Sequence, residues 1–259
     1  MDIIVLVKQV PDTEAAIRVS DDRAAIRTEG LKWVVNPYDE YAVEEALRIR
    51  EALGGSVTVV CAGPARSVAA IRSALAMGAD QGVLVSDPAL EIADSLGVAR
   101  ALAAAIRGLS FDLVLAGQRA VDDDAGLVGP AVAELLDIPH VSLATKVEVQ
   151  GSEILCEAAA DGGAKSIRAT LPALVTAQKG LNDPRFASMM GIMKAKKKPV
   201  EEKDLVALGL SAADVAPQSR VTGLSFPPER PPGRIIQGET ARDKARELAR
   251  VLVEEAKIL

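Results

Sequence analysis

The sequence predicts a doubly wound α/β fold with a mostly parallel sheet, an antiparallel β extension and a C-terminal arm. Three observations predict it. Up to Leu136, strand-like runs alternate with amphipathic helical stretches at the spacing of βαβ units. The apolar residues, 49% of 259, are mostly Ala, Val, Leu and Ile, which suits helices packed on a parallel sheet. After about residue 140, Gly-rich hairpin signals replace that alternation.

Residues 3–7 are apolar and β-branched and read as a buried first strand. Asn36-Pro37-Tyr38-Asp39 supplies a turn and a helix N-cap, and residues 39–53 carry Tyr41, Ala42, Ala46, Leu47 and Ile49 at helical spacing. Gly55 ends that helix, and residues 56–62 are the second strand. Gly63-Pro64 turns the chain into a helix over residues 65–77, which Gly78-Ala79-Asp80 stops. Residues 82–85 are a third strand, 90–106 a long Ala-rich helix, 112–116 a fourth strand and 124–136 the helix after it. Ligands of such sheets bind beyond the carboxyl ends of the strands. Residues 141–150, 153–158 and 164–171 are strand-like runs separated by Gly151-Ser152 and Asp161-Gly162-Gly163. The short apolar strand 174–177 is counted with this antiparallel edge. Residues from about 199 to 237 hold Pro217, Pro227, Pro228, Pro231 and Pro232. They read as an extended arm with at most one short helical stretch near residues 206–215. Residues 238–259 read as a terminal helix with Ala241, Ala245, Leu248, Leu252 and Ala256 on one face. The expected division is therefore 1–198, an α/β domain with its β extension, and 199–259, an arm and helix that embrace a partner subunit.

Composition excludes several function classes. Six aromatic residues are too few for a single-stranded nucleic-acid platform, and a net charge of −6 disfavours binding a phosphate backbone. The single His140 leaves no His-rich metal cluster and reads as structural or solvent-facing. Cys61 and Cys156 sit in strand-like surroundings and read as buried free thiols. No stretch approaches the roughly 18 apolar residues of a membrane-spanning helix. The expectation is a soluble protein, cytoplasmic or, in a eukaryote, in the mitochondrial matrix.

The richest segment is Gly117-Gln118-Arg119-Ala120-Val121-Asp122-Asp123-Asp124-Ala125-Gly126-Leu127-Val128-Gly129, between the fourth strand and its helix. Gly117 lets the backbone turn closely, and the small residues beyond it would let a phosphate approach backbone N–H groups. It reads either as a phosphate cradle or as an ordinary loop whose acidic run caps a helix. Three aspartates would repel a phosphate unless they point outward or cap the helix. Their adjacent positions diverge in direction, which argues against metal ligation or paired acid–base work. The loops after the first two strands, Lys8-Gln9-Val10-Pro11-Asp12-Thr13 and Ala62-Gly63-Pro64-Ala65, would face the same crevice. The methionines Met189, Met190 and Met193 beside a run of lysines read as an adaptable contact surface for an acidic partner.

Residues 181–198, Leu181-Asn182-Asp183-Pro184-Arg185-Phe186-Ala187-Ser188-Met189-Met190-Gly191-Ile192-Met193-Lys194-Ala195-Lys196-Lys197-Lys198, resemble the signature of the β subunit of electron transfer flavoprotein. Supporting matches are Val7-Lys8-Gln9-Val10-Pro11-Asp12, the stretch from Asn36 to Ala46, Ala74-Leu75-Ala76-Met77-Gly78-Ala79-Asp80, and Ala120-Val121-Asp122-Asp123-Asp124. The resemblance covers essentially the whole chain. It implies a Rossmann-like, adenine nucleotide-binding subunit of a heterodimer whose α subunit holds most of the FAD. It also implies a nucleotide of the β subunit's own, usually AMP. Carried over by position, that nucleotide would be held by Leu6, Asn36, Pro37, Tyr38, Asp39, Ala62, Gly117, Gln118, Arg119, Ala120, Val121, Asp122, Asp123, Asp124, Ala125, Gly126, Leu127 and Val128. Thr13 and Tyr38 would face the flavin. Met189 would anchor partner dehydrogenases, such as acyl-CoA dehydrogenases, with Lys194, Lys196, Lys197 and Lys198 meeting their acidic surfaces. A downstream oxidoreductase would take the electrons.

One departure bears on the nucleotide. Leu127-Val128-Gly129 stands where many AMP-binding relatives have Gln-Thr-Gly, so a hydroxyl and an amide are missing. Valine there also resembles relatives that bifurcate electrons from NADH and hold a second FAD in place of AMP. The leading expectation is an electron relay with no catalytic acid–base constellation. Bifurcation, the one case with oxidoreductase activity, is the alternative. A free-standing nucleotide-binding or hydrolysing protein is more distant.

Overall fold

The computed structural model describes residues 1–230 and 232–258. The chain divides into two compact units, Met1–Thr222 and Gly223–Leu259. In the first unit β1 (Asp2–Leu6) is the central strand, and β2 (Gln9–Pro11) pairs antiparallel with β3 (Trp33–Val35). There follow α1 (Pro37–Leu53), β4 (Ser56–Ala62), α2 (Val68–Met77), β5 (Gln81–Val85), α3 (Ser95–Arg107), β6 (Leu113–Gly117) and α4 (Val128–Leu136). Then come β7 (His140–Gln150), β8 (Glu153–Ala160), β9 (Gly163–Thr170), β10 (Ala173–Ala177), α5 (Met189–Ala195) and β11 (Val200–Lys203).

The main sheet has the order β11-β5-β4-β1-β6-β10-β7-β8-β9. It is parallel from β11 to β7, and β7, β8 and β9 form an antiparallel meander. Strand residues are buried on both faces, Ile3, Val5, Val59 and Leu113 on one and Ile4, Val60 and Val114 on the other, because helices cover both, as parallel sheets require. The doubly wound α/β class is as expected. Cys61 and Cys156 are both buried and unpaired, also as expected.

Several elements differ from the sequence expectation. Residues 174–177, counted with the antiparallel edge, form β10, which runs parallel between β6 and β7 and is buried throughout. A short apolar run reads the same at an edge or in the centre; burial on both faces places it in the centre. The helix expected from 90 is split. A 3-10 turn occupies Pro88–Glu91, and α3 starts after Asp94, whose side chain caps Gly97 N. The helix expected from 124 starts at Val128, because Asp124 (φ 53°) and Gly126 (φ 62°) are left-handed. Residues 206–215 are turns without a helix.

The expected boundary at 198/199 also shifts. Val200–Lys203 adds a parallel edge strand to β5, and Leu205 and Val215 are buried in the core. The second unit contains α6 (Ala241–Arg250), shorter than the helix expected over 238–259. A π-type turn at Val251–Glu255 follows it, and Leu259 lies outside the described residues, as does Pro231. A capping box between Thr240 and Asp243 starts α6, and none of its residues is buried.

Leu205→Ala should therefore cost about 2–4 kcal/mol in a denaturant melt, as a core truncation does. The same change at its exposed neighbour Val206 should cost less than about 0.5 kcal/mol. Equal small effects at both positions would return residues 199–222 to the arm.

Candidate functional site

The order in which strands are added to the sheet reverses between β1 and β6, the position at which doubly wound sheets bind ligands. A crevice of about 590 Å³ opens there, over the carboxyl ends of β1, β4 and β6. Asp39, in the first turn of α1, ties its floor together. One carboxylate oxygen, Oδ2, accepts the backbone N–H of Lys8 after β1 (2.6 Å). The other, Oδ1, accepts the N–H of Gly117 at the end of β6 (3.2 Å) and the Asn36 amide (2.8 Å). Gly117 is required for this approach, since a Cβ there would overlap Asp39 Oδ1 and the Tyr38 backbone. Burial pushes the Asp39 carboxyl up to about 7, against the three donors that favour its ionised form.

Asn36 does not cap α1 through its side chain as the sequence suggests. It reaches the loop after β6 instead. Its Nδ2 donates to Arg119 O (2.9 Å), and its Oδ1 accepts Val121 N–H (3.1 Å).

Each aspartate of the acidic run is paired locally, three carboxylates with two cations. Lys8 Nζ binds Asp122 (2.8 Å) and Asp123 (2.9 Å), while Arg119 pairs with Asp124 (2.9 Å). Burial alone would lower the Lys8 pKa, but Asp122 and then Asp123 outweigh it and hold the ammonium above its ordinary value. The aspartates therefore do not cap α4. Its N-cap position, Leu127, makes no side-chain cap bond, so the first N–H groups of α4 are left uncapped at the crevice wall.

The rest of the wall divides into apolar and polar parts. Leu6, Leu90, Val98, Leu102 and Ala116 form its apolar part. The side-chain oxygens Gln9 Oε1 and Gln118 Oε1 are buried and accept no hydrogen bond among the described residues, so each can take a donor from a ligand. Beyond them lie Trp33 and Arg66, the guanidinium standing 4.1 Å from the indole ring centre.

Most sequence-identified residues converge here: Leu6, Asn36, Asp39, Ala62, Gly117, Gln118, Arg119, Ala120, Asp122, Asp123, Ala125, Gly126, Leu127 and Val128 line the crevice. Pro37, Tyr38, Val121 and Asp124 do not line it. Tyr38 lies beside Arg119, which donates to its hydroxyl (3.3 Å), and Thr13 is exposed in the loop after β2. The α3 wall and the Trp33–Arg66 pair escaped sequence reasoning. Val98 and Leu102, four residues apart on a helix, look the same as core residues in sequence.

A second feature lies apart from the crevice. Residues 189–195 form the short helix α5, capped by Ser188 on Gly191 N (3.0 Å). Met189, Met190 and Met193 are exposed, with Phe186, which the sequence reading did not single out, 99% exposed beside them. Lys194, Lys196 and Lys197 are exposed too. Lys198 differs: its ammonium donates to the carbonyls of Leu75, Gly78 and Ala79, where it closes the C-terminus of α2.

Fold and crevice define a doubly wound α/β protein with an open crevice at its topological switch point. Comparison with known proteins makes this specific. Residues 24–208 match the electron transfer flavoprotein domain. The chain is 42% identical to an electron transfer flavoprotein subunit beta of Bacillus subtilis, over the full length of both chains. It is 42% identical to that of Syntrophomonas wolfei (92% of this chain, 91% of the relative). It is 41% identical to that of Homo sapiens (96% and 98%). The chain belongs to the electron transfer flavoprotein beta-subunit family.

Asp39→Asn replaces one acceptor by a donor that faces a backbone or amide N–H. The expected cost is about 1–3 kcal/mol, the penalty of an unmet buried donor. The sign of the pH effect follows from the raised pKa. Between the ordinary value of 3.8 and about 7 the fold holds a proton that the unfolded chain has lost. The linked stability is complete below about pH 4 and is lost as pH rises through 7. The Tm lead of wild type over Asp39→Asn should thus widen from pH 8 to pH 5; a flat difference would mean that Asp39 does not titrate there.

Proposed function

We propose that the chain is the β subunit of a heterodimeric electron relay. It carries an adenine nucleotide in its own crevice and shares with an α subunit the FAD through which electrons pass from a dehydrogenase to a downstream acceptor. The observation that carries this reading is the crevice at the switch point, with an uncapped helix N-terminus beside an apolar slot, in a chain of this family. The FAD supplies the redox chemistry when bound. The chain's own work is to bind and orient. The N–H groups at the start of α4 would take a phosphate, Leu6, Val98 and Leu102 would hold the base, and the acceptors of Gln9 and Gln118 would select for donors on the ligand.

The exposed side chains of Phe186, Met189, Met190 and Met193 suit an apolar contact with a dehydrogenase. Lys194, Lys196 and Lys197 suit its acidic rim, and acyl-CoA dehydrogenases are the proposed donors. Met189→Ala should slow electron exchange with an acyl-CoA dehydrogenase and leave flavin content unchanged; loss of flavin instead would refute the surface role. The exposed apolar stripe of α6 suits the α subunit. No helix among the described residues is long and apolar enough to cross a membrane, and a cytoplasmic or mitochondrial-matrix location is proposed with the relay.

A second reading is favoured by two observations. Val128 offers no hydroxyl to a phosphate, and the crevice continues to Trp33 and Arg66, room for more than a mononucleotide. It is the bifurcating type, with a second FAD here and NADH as donor. Co-expression with the α subunit and quantification of released nucleotides separates the two. One FAD and one AMP per heterodimer supports the relay; two FAD and no AMP supports bifurcation. A colourless, self-sufficient hydrolase would sink both.

A further inference from the structure

We infer that Arg185, clamped to α1 by Glu44 and Glu51, is the positioning residue that fixes α5 and its exposed methionines for a partner. The inference rests on the docking reading of α5 given above.

Residues Tyr41, Glu44, Glu45, Arg48 and Glu51 recur at helical spacing and lie along one face of α1. The segment before α5 is bonded along that face. Asn182 Nδ2 donates to Tyr41 O (3.0 Å) and Glu45 Oε2 (2.9 Å), and Arg48 donates to Asp183 O (3.4 Å). Arg185 ends the row. Its Nε and its backbone N–H both reach Glu44 Oε2 (2.7 and 3.1 Å), its Nη2 reaches Glu44 Oε1 (3.1 Å), and its remaining donors reach Glu51. Glu44 is buried. Burial would raise its pKa, but the Arg185 and then Arg48 guanidiniums outweigh it and hold the carboxyl below its ordinary value. A two-carboxylate fork of this kind fixes a direction as well as a distance, which a lysine cannot reproduce.

The chain beyond α5 is pinned as well. Arg72 donates to the carbonyls of Ala195 and Lys198 (2.6 Å each), and Lys198 reaches back to α2. Gly191 sits so close to α2 that a Cβ would overlap Ala76 O. A helix of seven residues with most of its apolar side chains in water does not hold itself. It persists because both flanks are anchored, and anchoring removes the ordering cost that a partner would otherwise meet on docking.

The test uses the full heterodimer co-expressed with its α subunit, with Arg185→Lys and Met189→Ala as variants and an acyl-CoA dehydrogenase as the probe. Hydrogen exchange of residues 186–195 reads positioning without any partner. In Arg185→Lys these amides should exchange faster while α2 and the β-sheet stay protected. The KM for the dehydrogenase should rise about tenfold, the scale of one lost charge-assisted bond, with kcat and flavin content retained. Unchanged exchange with unchanged KM overturns the proposal. So does a general loss of protection with loss of flavin, which would make Arg185 an ordinary fold residue. If Met189→Ala leaves KM unchanged while Arg185→Lys loosens residues 186–195, the docking reading fails and the clamp stands.

Discussion

The buried carboxylate of Asp39 joins parts of the chain that are far apart in sequence. It accepts from Lys8, from Gly117 and from Asn36, so the ends of β1 and β6 and the start of α1 meet at one side chain. A carboxylate away from water is costly unless its lone pairs are met, and here donors meet both oxygens. The neighbouring residues then follow. Gly117 must lack a side chain for Asp39 to fit. Asn36, drawn into the same cluster, holds the loop after β6 by Arg119 and Val121. The crevice keeps its shape because its floor is bonded rather than merely packed.

Helix α1 extends that constraint across the molecule. Its first turn belongs to the crevice, and its middle belongs to Asn182 and Arg185. One rigid element therefore positions both the candidate ligand site and the root of the candidate docking helix. This explains the density of acidic residues along α1. Asp39 ties the crevice, and Glu44, Glu45 and Glu51 tie the segment before α5.

The charge distribution suits a binding subunit. Asp122, Asp123 and Asp124 are occupied by Lys8 and Arg119, so the loop presents backbone N–H groups and small side chains to the crevice rather than bare carboxylates. The repulsion expected between that run and a phosphate is reduced by Lys8, just after β1, and by Arg119 in the loop itself.

The sequence by itself determined the alternation of strands and helices up to β6, because hydrophobic period and Gly or Pro punctuation are local signals. It also determined the family, because the motifs from Lys8, Asn36, Ala74 and Leu181 are read directly as residue types. Tertiary structure decided what depends on distant partners. The short run 174–177 is central only because β6 and β7 leave a place between them. Residues 200–203 are a strand only because β5 has a free edge. Val98 and Leu102 become crevice wall, and Lys198 a helix cap, through neighbours that no local pattern specifies. A side chain's chemistry is written in the sequence, but whether it is spent inside the protein or left for a ligand depends on which groups the fold brings within hydrogen-bonding reach.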